Sequence, residues 1–172
     1  MTIIGDKNTF AVEYEVEMLE PIKMAYSRIW IQGQYFGDIE DTGHLFGIYN
    51  CLDRIIMKRE TLAEPEFDDK TFDEIMKLTF PYFLQNENLD MPGDGNLHRL
   101  RLYGHSFQFG ENYDRFLVCI FAIDDIIHFV WQVYLSDNEY FPGYSRDVQH
   151  GIVNINDVKN VYEELQKEFV SK

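Results

Sequence analysis

The sequence is poor in cysteine, in long apolar runs and in basic residues, and each shortage closes off a class of protein. Its two cysteines, Cys51 and Cys119, lie far apart in apolar surroundings and read as reduced core thiols of a cytosolic protein rather than as one disulfide. The longest apolar runs, 116–123 and 126–131, fall far short of the ~20 residues that cross a bilayer, so no membrane helix is expected. Residues 1–10, MTIIGDKNTF, lack a basic stretch followed by an apolar one, so no signal peptide is expected. Only 15 lysines and arginines stand against 30 aspartates and glutamates, a net charge of −15 over 172 residues. A chain so charged repels nucleic acid and anionic membranes and steers basic partners toward itself. Internal repeats, low-complexity tracts and linkers are also lacking, which points to one domain over 1–172.

What is present is apolar mass, 45% of the residues, arranged with clear periodicity. In FAVEYEVEML, Phe10, Val12, Tyr14, Val16 and Met18 alternate with Glu13, Glu15 and Glu17, a strand with one buried and one acidic face. Pro21 ends it, Met24–Ile31 forms a second strand, and a turn at Gly33 leads into a short third at Tyr35-Phe36. From Gly43 to Arg59 the apolar residues recur at three and four, a helix. Thr71 and Glu74 make a capping box for a second helix at about 72–79, which Pro81 should stop. The turn-forming stretch Asn86–Asn96 reads as a mobile surface loop. Strands are expected at His98–Phe109, Arg115–Ile123 and Ile127–Leu135, with an edge strand at Val148–Ile155 and a closing helix capped by Asn156. The class is α+β, a mainly antiparallel sheet with about three helices packed mostly on one face.

Few residues of the sequence are spaced for chemistry. Asp38, Glu40, Asp41 and His44 come closest to a metal set, but their spacing is not that of a calcium loop. They are explained more cheaply as the acidic tail of a hairpin entering a helix, with Asp41 or Thr42 as its cap. His105 and Ser106 are neighbours, and on a strand they would point to opposite faces. MPGDGN has two glycines but no lysine and no following helix, so it is a turn rather than a phosphate cradle. HRLRLYGHSF, the one basic and aromatic stretch, is too short to outweigh the acid. No catalytic residue, metal or cofactor is therefore assigned. A small cytosolic enzyme or ligand-binding domain with a pocket near Asp38–His44 stays open as the alternative, and nothing indicates a homo-oligomer.

IIGDKNTFAVEYEVEM followed by YSRIWIQGQYFGDIED resembles the immunity protein 42 family of bacterial polymorphic-toxin and contact-dependent growth inhibition systems. The pattern G-[DN]-K-x-x-F-A-[IV]-E-[YW]-E, then W-x-x-G-x-x-[IF]-G-D, falls on Gly5, Asp6, Lys7, Phe10, Ala11, Glu13, Tyr14 and Glu15, then on Trp30, Gly33, Gly37 and Asp38. The match covers roughly the first 55 residues, and the remainder agrees in outline, with a tryptophan, Trp131, in a later hairpin. The resemblance implies a cytoplasmic, non-enzymatic protein that binds one cognate toxin C-terminal domain and neutralises it in the producing cell. The acidic charge points to a basic nuclease, such as an RNase, as that toxin. The motif residues read as fold-makers, with Gly33 and Gly37 turning the hairpin and Phe10 and Trp30 plugging the core. For docking, the residues themselves offer two acidic loops with aromatic anchors. One is Glu64, Glu66, Phe67, Asp68 and Asp69; the other is Glu139, Tyr140, Phe141 and Tyr144. In each, the competing expectation is that the aromatics fold back onto the core.

Overall fold

The computed structural model describes residues 1–19, 22–85, 95–134 and 143–170. Its first sheet has β1 (Thr2–Asp6), β2 (Phe10–Leu19), β3 (Ile22–Ile31), β4 (Gln34–Phe36) and β5 (Thr42–His44), all antiparallel. β4 and β5 share one edge of β3, against Ile29–Ile31 and Met24–Tyr26 respectively. The second sheet is β6 (Phe116–Ile123), β7 (Ile126–Val133) and β8 (Gln149–Asn154), with β7 in the middle. The helices are α1 (Leu45–Met57), α2 (Phe72–Thr79), α3 (Pro81–Gln85), α4 (Gly95–Tyr103) and α5 (Ile155–Val170), with 3-10 turns at Arg59–Leu62, Pro65–Phe67 and Glu111–Tyr113.

Period two explains how the sheets stack. Phe10, Val12, Tyr14, Ile29 and Ile31 form the inner face of the first sheet and pack with one face of the second, as in the Phe10–Phe129 stack at 5.7 Å. α1 and α5 complete that core with Leu45, Ile48, Leu52, Ile55, Val158, Val161 and Leu165. The second sheet has its other face buried too. Phe116, Val118, Ile120 and Ala122 point into the first core, while Leu117, Cys119 and Phe121 point into a second core with Phe67, Ile75, Met76, Phe80 and Leu102. A strand covered on both sides needs no polar alternation, hence the unbroken apolar run FLVCIFAI.

The α+β class is as read from the sequence, but the helices fall into two groups on different faces. α1 and α5 serve the first core, and α2 and α4 the second. The capping box of α2 is present, with Glu74 N–H donating to Thr71 Oγ1 and Thr71 N–H to Glu74 Oε2 at 3.3 and 2.8 Å. Pro81 ends α2 and opens α3, at a first-turn position where its missing N–H costs nothing. Three local expectations are corrected. His98–Phe109 is not a strand: its first half lies in α4, and only Ser106 bridges to Cys119. Asn154, not Asn156, caps α5, its Oδ1 accepting the Asn156 N–H at 2.9 Å. His44, not Asp41 or Thr42, precedes α1, and its N–H is taken by Glu111 Oε2 from a distant turn at 3.1 Å. The loop expected at Asn86–Asn96 lies outside the described residues up to 94, and Gly95 and Asn96 belong to α4.

Candidate interaction surface

The motif of the first sheet is structural, though not all of it as expected. Gly33 has φ +80 in the β3–β4 turn and donates its N–H to Lys7 O at 2.7 Å. Gly37, at φ +112, makes room for a neighbour: a Cβ there would stand 2.6 Å from the Tyr113 ring. Phe10 is buried in the core. Trp30 is not a core plug, because it sits between Ile29 and Ile31 and therefore points to the opposite face. There its Nε1–H donates to Glu13 Oε2 at 2.7 Å, and Lys7 lies 3.0 Å from Glu13 and 4.1 Å from the centre of the Trp30 ring. Glu13 is thus buried rather than solvated. Burial alone would raise its pKa, but the bonds from Lys7 and Trp30 outweigh that and hold it below the usual carboxylate value.

The acidic tail is spent on its own backbone. Asp38 Oδ1 accepts Glu40 N–H at 2.9 Å and Asp41 Oδ1 accepts Thr42 N–H at 2.8 Å. His44 pairs with Glu111 at 3.5 Å on the rim of a cleft of about 830 Å³, whose walls include Lys23, Phe46, Glu168 and Phe169. Among the described residues, no serine, threonine or cysteine lines this cleft. Among the described residues, no three His, Cys, Asp or Glu side chains are grouped to hold a metal. Burial pushes the thiols of Cys51 and Cys119 up to about 12, out of reach of physiological ionisation.

Charge and organised geometry meet at the turn carrying Glu64, Glu66, Phe67, Asp68 and Asp69. Pro65 starts the 3-10 turn, and Glu64 Oε1 accepts the Glu66 N–H at 3.2 Å. Phe67 folds back into the second core against His105 and Phe121, so it is no exposed anchor. Glu64 is also buried, because residues 64 and 67, three apart in a 3-10 turn, share the inward side. α4 supplies the countercharge: Arg101 lies 3.2 Å from Glu64 and 2.8 Å from Glu66, and His98 lies 2.8 Å from Glu66. Beneath them, buried His105 donates Nδ1–H to the Ile120 carbonyl at 3.0 Å, and its Nε2 lies 3.6 Å from Glu64. Desolvation lowers the pKa of His105, against the pull of Ile120 and Glu64. Toward solvent the turn presents Asp68, Asp69 and the half-exposed Glu66.

Of the second predicted loop, Glu139, Tyr140 and Phe141 lie outside the described residues. Tyr144 is half-buried; its hydroxyl donates to Gly37 O at 2.6 Å, and its ring packs on Tyr35 and Phe116. Burial pushes its hydroxyl up to about 12. The sequence reading missed the role of α4. The Arg-Leu alternation of 99–102 mimics a strand over four residues, too few to separate period two from a weakly amphipathic helix.

The family model described as Immunity protein 42 matches residues 1–168, well beyond the motifs of the first 55. No curated protein matches the chain. Among solved structures the fold is similar to the crystal structure of CdiI from Burkholderia dolosa AUO158, with a TM-score of 0.63 and 12% identity over 97% of this chain and 99% of that one.

Proposed function

We propose, from the fact that this chain belongs to the immunity protein 42 family, that it binds the toxin C-terminal domain encoded beside it and neutralises it in the cytoplasm of the producing cell. The system is contact-dependent growth inhibition or a related polymorphic-toxin system, the label carried by the CdiI whose fold it resembles. The toxin is a basic nuclease such as an RNase. One observation carries that choice: a net charge of −15 whose densest stretch, Glu60–Glu74, holds seven carboxylates and one lysine and ends up on an organised turn. A nuclease must gather phosphates with a basic groove, and a carboxylate surface competes for that groove and accelerates encounter. The role is stoichiometric blockade, with no turnover by this chain. No helix among the described residues is long and apolar enough to cross a membrane.

The test is co-expression with the adjacent toxin domain, followed by purified assays. The protein should restore growth and, added in equimolar amount, stop nucleic-acid cleavage by the toxin. Association should slow as salt rises, and Asp68→Lys with Asp69→Lys should slow it further and flatten its salt dependence. Glu66 is a poorer probe because its reversal would break the contacts with His98 and Arg101. Growth that stays arrested despite folded protein would sink the immunity reading. A toxin that leaves RNA and DNA intact would sink only the nuclease assignment.

A further inference from the structure

Among the described residues, α3 and α4 display apolar side chains that no other described part of the fold covers. Thirteen large apolar side chains are exposed among the described residues, and six of them, Tyr82, Phe83, Leu97, Leu100, Tyr103 and Tyr134, belong to this corner. On α4, Leu97, Leu100 and Tyr103 follow one another at intervals of three, on the side away from the buried Leu102. Leu97 and Leu100 are 70% and 60% exposed. Across from them, Tyr82 and Phe83 meet edge-to-face at 5.3 Å, and Phe83 meets Tyr134 at 5.2 Å. Leu100 and Tyr103 enclose, with Tyr82 and Phe83, a groove of about 320 Å³ whose lining also includes Phe80 and Arg99.

Apolar residues clustered on a surface mark contact sites, and aromatic groups among them give the compositional signature of an interface centre. The flank of the same helix reaches the acidic turn, where His98 and Arg101 hold Glu66 and Asp68 and Asp69 follow in chain. The arrangement is an apolar centre with a margin in which His98 and Arg101 hold Glu66 and the carboxylates of Asp68 and Asp69 face solvent. That margin, on a chain of net −15, opposes a second copy or an anionic lipid surface and favours a basic protein.

We propose that the α3–α4 face, with the Glu66–Asp69 carboxylates along its margin, is the surface on which the toxin domain docks. This rests on the immunity reading above, and places the stronger contact beside the acidic turn rather than on it. The carboxylates orient the incoming basic domain, and the aromatic and leucine side chains determine how long it stays.

Binding kinetics with the adjacent toxin domain would be measured for the parent chain, for Leu100→Asp with Tyr103→Asp, and for Met57→Asp. Met57 is exposed at the far end of α1 and serves as the control. The double variant should dissociate faster, weaken binding by about thirtyfold or more, and lose protection of growth, whereas Met57→Asp behaves as the parent. Were the double variant to melt early, Tyr103→Ala, which removes only a half-exposed ring, gives the same reading. A folded double variant that binds within about twofold of the parent and still protects overturns this surface and leaves the immunity function standing. A parent chain that self-associates until Leu100→Asp is introduced assigns the face to a second copy and also overturns the proposal. A parent chain that fails to bind the toxin domain overturns both readings together.

Discussion

Two carboxylates among the described residues are drawn out of water, Glu13 in the first sheet and Glu64 in the acidic turn, and they are handled differently. Glu13 takes its partners from the sheet around it: Lys7 precedes it in the chain, and Trp30 lies diagonally across the β2–β3 ladder. Glu64 takes its partners from α4 and the segment after it, Arg101 and His105, more than thirty residues on. The first arrangement closes as soon as a hairpin forms and stiffens something already determined. The second is a tether that decides where α4 lies, and therefore which of its side chains face outward. Local pairing secures a fold; distant pairing shapes a surface.

The largest effect should come from breaking the tether. Glu64→Ala leaves His105 beside an emptied site and Arg101 without its inner partner, at a cost of about 2–4 kcal/mol in urea unfolding. Arg101 is half-exposed and can turn to water, which keeps the figure below that of a fully buried pair. Arg101→Ala on the Glu64→Ala background should then cost less than Arg101→Ala alone, the signature of coupling. Glu13→Ala comes next at about 1–2 kcal/mol, since it orphans the indole N–H of a half-buried Trp30.

Acid sharpens the contrast for Glu13. Its folded pKa is depressed, so its charge contributes stability above the unfolded carboxylate value, and that contribution disappears as pH falls through the folded value. The penalty of Glu13→Gln, measured by urea unfolding at successive pH values, should be largest near neutrality and shrink on acidification. A penalty that grew as the pH fell would mean that Lys7 and Trp30 do not favour the ionised form. Smallest of the set is Gly33→Ala, at about 1 kcal/mol: nothing lies within 4 Å of the added Cβ, and only the positive φ is penalised. Gly37→Ala, with the same change of residue but a ring and a carbonyl in the way, should lower the melting temperature clearly further.

Most of the strands and three of the helices were legible because their periods run long enough to be distinguished. β2 alternates over ten residues, α1 carries its stripe over 13, and α2 announces its start with Thr71 and Glu74. What was not legible depends on partners. Trp30 reads as a core residue until register places it opposite Ala11, on the face of Glu13. β1 has no buried position, so burial leaves no alternation to find. Phe67 reads equally well as anchor or core, and its inward side is set by His105 and Phe121, distant in sequence. The exposed stripe of α4 hides in a segment whose charges alternate like those of a strand. The face proposed for docking became visible only once the fold had positioned α4.

The closing helix has a consequence for synthesis. α5 packs Val158, Val161 and Leu165 into the core that β1 and β2 begin, and a Cβ on Gly5 would come within 2.7 Å of Val161. A ribosome delivers Gly5 long before Val161, roughly 8 to 30 seconds earlier at ordinary bacterial elongation rates. Through that interval the inner faces of the early strands wait without their last cover. The domain commits to its shape only when its far end is in hand, so a chain truncated after β8 would leave an apolar groove where a helix belongs.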